Sequence, residues 1–172
     1  MIKKLILSLC LLTAAATGAR AQYASDGYID SRDEDWLHRG YRGSVCIGGG
    51  FDDYGHVFDL MTSHGFQFNN WLYVGAGIGY RNMDNSWDDN NVFLLFANPH
   101  FNLPLQSRFS PFLDIHAGLA NGFYFSPSLG CRFALNELWG INLSAGYVYQ
   151  SGSNKNGTTS AIVFRFGIDL NL

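Results

Sequence analysis

The strands written into this sequence are two-faced, and their polar face carries no lysine. From Tyr41 to Leu172, one alternating set of positions is Leu, Ile, Val, Phe, Tyr and Ala. The other set is Gly, Ser, Asn, Asp and Arg. Alternation with period two marks a strand whose faces meet different surroundings. A soluble barrel turns its polar set to water, where Lys, Glu and Thr normally dominate. Here the small polar set suits enclosure and the bulky apolar set suits an exterior of hydrocarbon, the inverted pattern of a bilayer-spanning barrel.

The composition fits that inversion. The chain is 47% hydrophobic and 16% aromatic. Past the first 21 residues, however, no run approaches the roughly 20 apolar residues of a spanning helix. The apolar residues are spread through alternating segments instead of bunched.

Alternation and turn residues divide the chain into eight strands: 40–51, 58–68, 71–81, 92–103, 111–119, 123–135, 139–150 and 161–172. Asn69-Asn70 marks a tight turn, 104–110 another, and Asn136 to Leu138 a third. Asn121-Gly122 predicts a type I′ hairpin. The expected fold is all-β, an eight-stranded antiparallel up-and-down transmembrane β-barrel. An even strand count returns both ends to one side. The outer connections, 52–57, 82–91, 120–122 and 151–160, then lie on the other side.

The first residues carry an export pattern. Met1 to Lys4 is basic, Leu5 to Ala16 is apolar, and Ala19-Arg20-Ala21 fits a small-x-small cleavage site. Cleavage is expected after Ala21, with residues 1–21 as signal peptide. Residues 22–39 hold Asp26, Asp30, Asp33, Glu34 and Asp35 without periodicity, which predicts an acidic, flexible periplasmic tail before a barrel domain at 40–172. Removing 1–21 leaves eight basic residues against 14 acidic, a net charge of −6. Such a chain is unsuited to nucleic acid, whose binding relies on neutralising phosphate. Cys46 and Cys131 fall on opposite faces and are expected to stay free thiols.

Within each strand, parity sorts the charges. Arg42, Asp59, Arg81, Asp114, Arg132, Arg165 and Asp169 fall on the small-polar face, with His100 and His116 beside them in character. On a lipid face an arginine costs about 2–4 kcal/mol near the bilayer midplane, so the inward face is expected. Eight strands enclose a space just wide enough for side chains, so the charges predict a cross-linked plug. The glycines of strand 3, Gly75, Gly77 and Gly79, would make room for long side chains crossing the lumen. Aromatic girdles are expected at both rims: Tyr41, Phe66, Phe68, Trp71, Tyr73, Phe101, Phe109 and Trp139 at one, and Phe51, Phe58, Tyr80, Tyr147 and Tyr149 at the other.

The runs SHGFQFNNWLYVGAGIGY (63–80), FSPSLGCRFAL (125–135) and INLSAGYVYQ (141–150) resemble the small outer-membrane β-barrel domain family, of the OmpA/OmpX-like size class, across residues 40–172. The final run RFGIDLNL is similar to the signal by which such chains are recognised for barrel assembly. The resemblance places that signal on Arg165, Gly167, Leu170 and Leu172, with Leu172 where an aromatic is commonest. It implies location in the outer membrane, with outer-membrane lipids and the barrel assembly machinery as partners. It implies no activity.

Catalysis needs a nucleophile, a base and an orienting acid within mutual reach. The histidines are His38, His56, His64, His100 and His116. His38 falls in the tail and His56 in a loop. His64 lies among apolar positions, displaced there if a bulge forms at Gly65. His100 and His116, on adjacent strands, can pair with Asp114 or Ser128. No motif marks a hydrolase serine, and no enzyme, cofactor or metal is expected. Asp84, Asp88 and Asp89 around Trp87 form an acidic loop that reads as a surface contact, because its spacing lacks an EF-hand pattern. The expected role is membrane-integral structure or surface interaction. The alternatives are a lipid-modifying outer-membrane enzyme and a soluble lipocalin-like carrier, whose apolar set would line a central cavity.

Overall fold

Alternating sequences of this kind pair with their chain neighbours, and eight of them do so in strict order. The computed structural model describes residues 37–52, 55–85, 88–103, 108–152 and 158–172. The expected signal peptide and all but the last residues of the acidic tail lie outside the described residues. The strands are β1 (Gly40–Asp52), β2 (Gly55–Gln67), β3 (Leu72–Asn85), β4 (Asp88–Asn102), β5 (Phe109–Leu119), β6 (Phe123–Ala134), β7 (Trp139–Ser151) and β8 (Thr158–Asn171). Each pairs antiparallel with the next, and β8 closes on β1 with Ser44 opposite Asp169 and Gly48 opposite Arg165. The result is a closed eight-stranded barrel without an exposed edge.

The four hairpins β1–β2, β3–β4, β5–β6 and β7–β8 define one end, here the hairpin end; the other is the terminal end. Toward the hairpin end the ladders outrun the expected strands. β3 continues to Asn85 and β4 begins at Asp88, pairing Asp84 with Asp89 inside what the sequence suggests is a loop. Backbone hydrogen bonds need no apolar side chains, so pairing continues where alternation stops. The Asn121-Gly122 connection also differs from expectation. Only Asn121 takes a positive φ (54°), and Gly122 does not, so no type I′ turn forms. Gly122 is instead required by packing: a Cβ there would sit 2.1 Å from the Ser151 carbonyl oxygen.

Ladder pairs lapse at Asn98–Pro99 between β4 and β5 and at Ser126–Pro127 between β6 and β7, with the register unchanged on either side. Proline has no N–H to give to a ladder. At the first lapse, the Asn98 amide reaches the Ile115 carbonyl instead, at 3.3 Å.

The inward positions form the core, and that core has two parts. At the hairpin end Val57, Met61, Met83, Val92, Leu94, Phe96, Ala120, Tyr124, Val148, Ala161 and Val163 pack as one buried apolar cluster. The expected all-polar interior is therefore corrected: in this half apolar side chains share the interior with buried Asp59, Arg81 and Gln150. The signal was the run VFLLF at 92–96, apolar on both faces, which fits a strand with hydrocarbon outside and a packed core inside. The glycines of β3 make room chiefly for uncharged groups. A Cβ at Gly77 would meet the Phe96 ring at 2.5 Å, and one at Gly79 would meet Met61 Cγ at 2.7 Å.

Candidate functional site

Polar residues fill the rest of the interior in three groups that each gather on one aspartate: Asp59 amid the apolar cluster of the hairpin half, Asp114 midway and Asp169 toward the terminal end. Asp59 on β2 is fully buried. Its paired neighbour on β3, Arg81, sends Nε to Oδ1 at 2.6 Å and Nη2 to Oδ2 at 2.9 Å. That two-pronged contact uses the planar guanidinium fork. Arg165 on β8 adds Nη2 to Oδ2 at 3.3 Å and also donates to Ser126 Oγ at 2.9 Å. The Arg81 guanidinium stands 5.0 Å over the Tyr124 ring, beneath the apolar cluster. Arg81 Nη1 donates to Gln150, whose amide donates to the Ala120 carbonyl at the β5–β6 connection.

Asp169 on β8 gathers the second group. Arg132 Nε donates to Oδ2 at 2.9 Å, Asn142 Nδ2 donates to Oδ1 at 2.7 Å, and Arg42 Nε lies 3.7 Å from Oδ2. Arg42 also donates from Nη1 to Gln67, which donates in turn to the Asn69 carbonyl in the β2–β3 turn. A buried glutamine thus ties each arginine group to a connection at its own end of the barrel.

Asp114 on β5 takes no arginine in these groups. His100 Nδ1 lies 3.1 Å from Oδ1 and His116 Nε2 3.1 Å from Oδ2. Asn98 donates to Oδ1 as well and accepts from Ser63 Oγ, which pairs with the Tyr73 hydroxyl. Ser128 reaches only the Asp114 backbone carbonyl, at 3.5 Å.

The seven charged residues read from parity therefore all lie inside the barrel and meet as two Arg–Asp groups and one His–Asp group. Sequence reasoning missed their neutral partners, Gln67, Asn98, Tyr124, Asn142 and Gln150. Of these, Asn142 and Gln150 stand on the polar face of strand 7 and were open to discovery there. Tyr73, placed by sequence in a rim girdle, is corrected: it points inward and is buried. Parity against Gly75 and Arg81 signals that orientation. Cys46 and Cys131 are free, on inward and outward positions respectively.

His64 stands on the outer wall without a bulge; Gly65 keeps register with Arg42 and Gly75. Its Nδ1 meets the Tyr41 hydroxyl and its Nε2 meets Thr62 Oγ1, which donates to the Ser44 carbonyl. Because the Thr62 proton goes to Ser44, His64 Nε2 donates to Thr62 and Nδ1 accepts from Tyr41. The chain of bonds is complete within the wall.

Asp84, Asp88 and Asp89 lie on the paired backbone at the tip of β3–β4, and their side chains and Trp87 are outside the described residues. In the terminal run, Arg165 and Gly167 face inward, and a Cβ on Gly167 would lie 3.1 Å from Cys46 Cβ. Leu170 pairs with Trp139 and Gly43, and the Leu172 amide donates to the Tyr41 carbonyl.

Among solved structures the chain is similar to Neisserial surface protein A. The identity is 12%, the TM-score 0.56, and the match covers 78% of this chain and 97% of that one. It is also similar to a de novo designed transmembrane β-barrel, at 11% identity and TM-score 0.51, covering 76% and 95%. No family model matches the chain, and no curated protein does. The likenesses establish the fold, that of a small transmembrane β-barrel.

Proposed function

We propose that this chain is an integral outer-membrane barrel with a plugged lumen, acting in membrane structure or surface interaction without catalysis. One observation carries the reading: the walls of the barrel are inverted. Leu129 is 69% exposed, Leu143 60% and Ile78 59%, all outward and far from the strand ends, while Asp59 and Asp169 are at 0% inside. In water an apolar wall running round the whole barrel would far exceed the few hundred Å² that soluble monomers tolerate. In hydrocarbon the same wall is solvated, and closure of the barrel pairs every strand on both sides, as a span through lipid requires. Exposed Phe66, Phe68, Trp71 and Trp139 ring the terminal end, and Phe51, Phe58, Tyr147 and Tyr149 the hairpin end, as bilayer interfaces favour.

The plug reading rests on the apolar cluster and the three aspartate groups, whose buried side chains line the interior from the hairpin end to the terminal end. Export by residues 1–21 with cleavage after Ala21, an acidic tail at 22–39 and insertion by the barrel assembly machinery complete the proposal. The side facing outward is then the hairpin end, where Asp84, Trp87, Asp88 and Asp89 would offer a surface contact.

Cell fractionation tests the reading. The protein is expected in the outer-membrane fraction and to need detergent for extraction. Recovery from soluble periplasm without detergent would instead support a carrier. Planar-bilayer recordings test the plug separately, with no resolved conductance steps expected and stable steps excluding it.

A further inference from the structure

An internal cavity of about 50 Å³ lies among the three aspartate groups, with Ser44, Cys46, Ser144 and Gly167 forming its small-residue side. Three polar side chains on its lining keep buried atoms without a protein partner among the described residues: Arg165 at Nε and Nη1, His116 at Nδ1, and Asn142 at Oδ1. Arg165 and His116 are each 4% exposed. Each of the three belongs to a different aspartate: Arg165 to Asp59, His116 to Asp114, and Asn142 to Asp169.

The chemistry of these atoms selects the occupant. Arg165 offers only donors. Asn142 Oδ1 is an amide oxygen and only accepts, and the Nδ2 bond to Asp169 fixes the amide this way round. His116 presents Nε2 to a carboxylate, so in the neutral ring the proton sits on Nε2 and Nδ1 accepts. A halide would satisfy Arg165 but face two lone pairs and the Asp114 carboxylate. A cation would satisfy the acceptors but face the guanidinium. Water both donates and accepts, and it serves His116 in either protonation state. A buried donor or acceptor left unmet bears the full penalty of its lost hydration. A buried water requires at least roughly 10–15 Å³ and takes about 30 Å³ in the liquid, so a cavity of about 50 Å³ has room for about two or three.

We propose that this cavity is a resident water site, in which two or three ordered molecules bridge Arg165, His116 and Asn142 and join the three aspartate groups into one hydrogen-bonded network. The inference stands on the interior geometry and not on the membrane reading.

Two measurements on the purified protein in detergent micelles test it. Nuclear Overhauser spectroscopy with ¹⁵N-labelled arginine is expected to show a cross-peak between long-lived water and the Arg165 Nε–H. A high-resolution crystal structure is expected to show water density between Arg165, His116 and Asn142. Ser144→Leu, which fills the cavity, should abolish both signals. A wild-type cavity without density and without the cross-peak overturns the proposal. So does an anomalous peak there after a sodium bromide soak, which would make it an anion site. Both overturning results come from the wild-type protein, so the test does not depend on whether Ser144→Leu folds.

Discussion

At the scale of single residues, the interior charges are strong only in company. Asp59 at 0% exposure accepts from both Arg81 and Arg165, and its desolvation is offset only while those donors stay. Arg81→Leu removes the two-pronged contact and leaves the single long bond from Arg165. The expected loss is about 3–5 kcal/mol of unfolding free energy, the range for breaking a buried pair. Urea titration of the barrel refolded in lipid vesicles reads it directly. Arg132→Leu should behave alike, because Asp169 would keep only Asn142 and the more distant Arg42. An unchanged midpoint in either variant would mean that the guanidinium is not buried against its aspartate. The inward placement of these residues was legible because parity alone decides a face. Their pairing was less so. Asp59 and Arg81 are lateral neighbours, but Arg165 reaches Asp59 across β1, and Arg132 reaches Asp169 across β7. Such contacts depend on how far each strand is staggered against the next, which no local pattern encodes.

At the scale of the strand, the glycines divide into those the ladder requires and those it tolerates. A Cβ on Gly65 would lie 2.3 Å from the Val74 carbonyl oxygen and 2.4 Å from Gly75 Cα. Both are backbone atoms of the paired strand and cannot step aside alone. Gly65→Ala should therefore force β2 from β3 and cost about 1–3 kcal/mol, as overpacking does. Gly49 on β1 faces outward with nothing within 4 Å of a Cβ. Gly49→Ala is expected to fall within about 0.5 kcal/mol of the parent. Paired vesicle-unfolding curves decide the point, and equal losses at the two positions would contradict the packing argument. Strand number, order and facing were legible because each strand repeats the same alternation between turn residues. The ends were not, since Asn82 to Asn85 and Asp88 to Asn91 pair without any apolar pattern to announce it. The apolar part of the core escaped a reading by contrast for a related reason: Val92, Leu94 and Phe96 sit between equally apolar neighbours, and it is that loss of alternation which marks a strand apolar on both faces.

At the scale of the molecule, the inverted walls make opposite demands in the two environments, and one substitution separates them. Leu129 stands outward in the middle of β6 and is the second most exposed large apolar side chain described, after Phe93. Were the barrel soluble, Leu129→Arg would be a surface change worth within about 0.5 kcal/mol, and it would relieve an apolar patch. In a bilayer the guanidinium meets hydrocarbon near the midplane, at an expected cost of about 2–4 kcal/mol. The same substitution at Phe51, near the hairpin-end rim, should cost less, about 0–1 kcal/mol, because the interface hydrates the charge. Unfolding free energies of both variants in vesicles, set beside their values in detergent micelles, give the comparison. A depth-dependent penalty in vesicles places the outer wall in lipid with β6 crossing its centre. Equal, near-zero effects at both positions would place that wall in water, and the plugged-barrel reading would then have to yield to a soluble one.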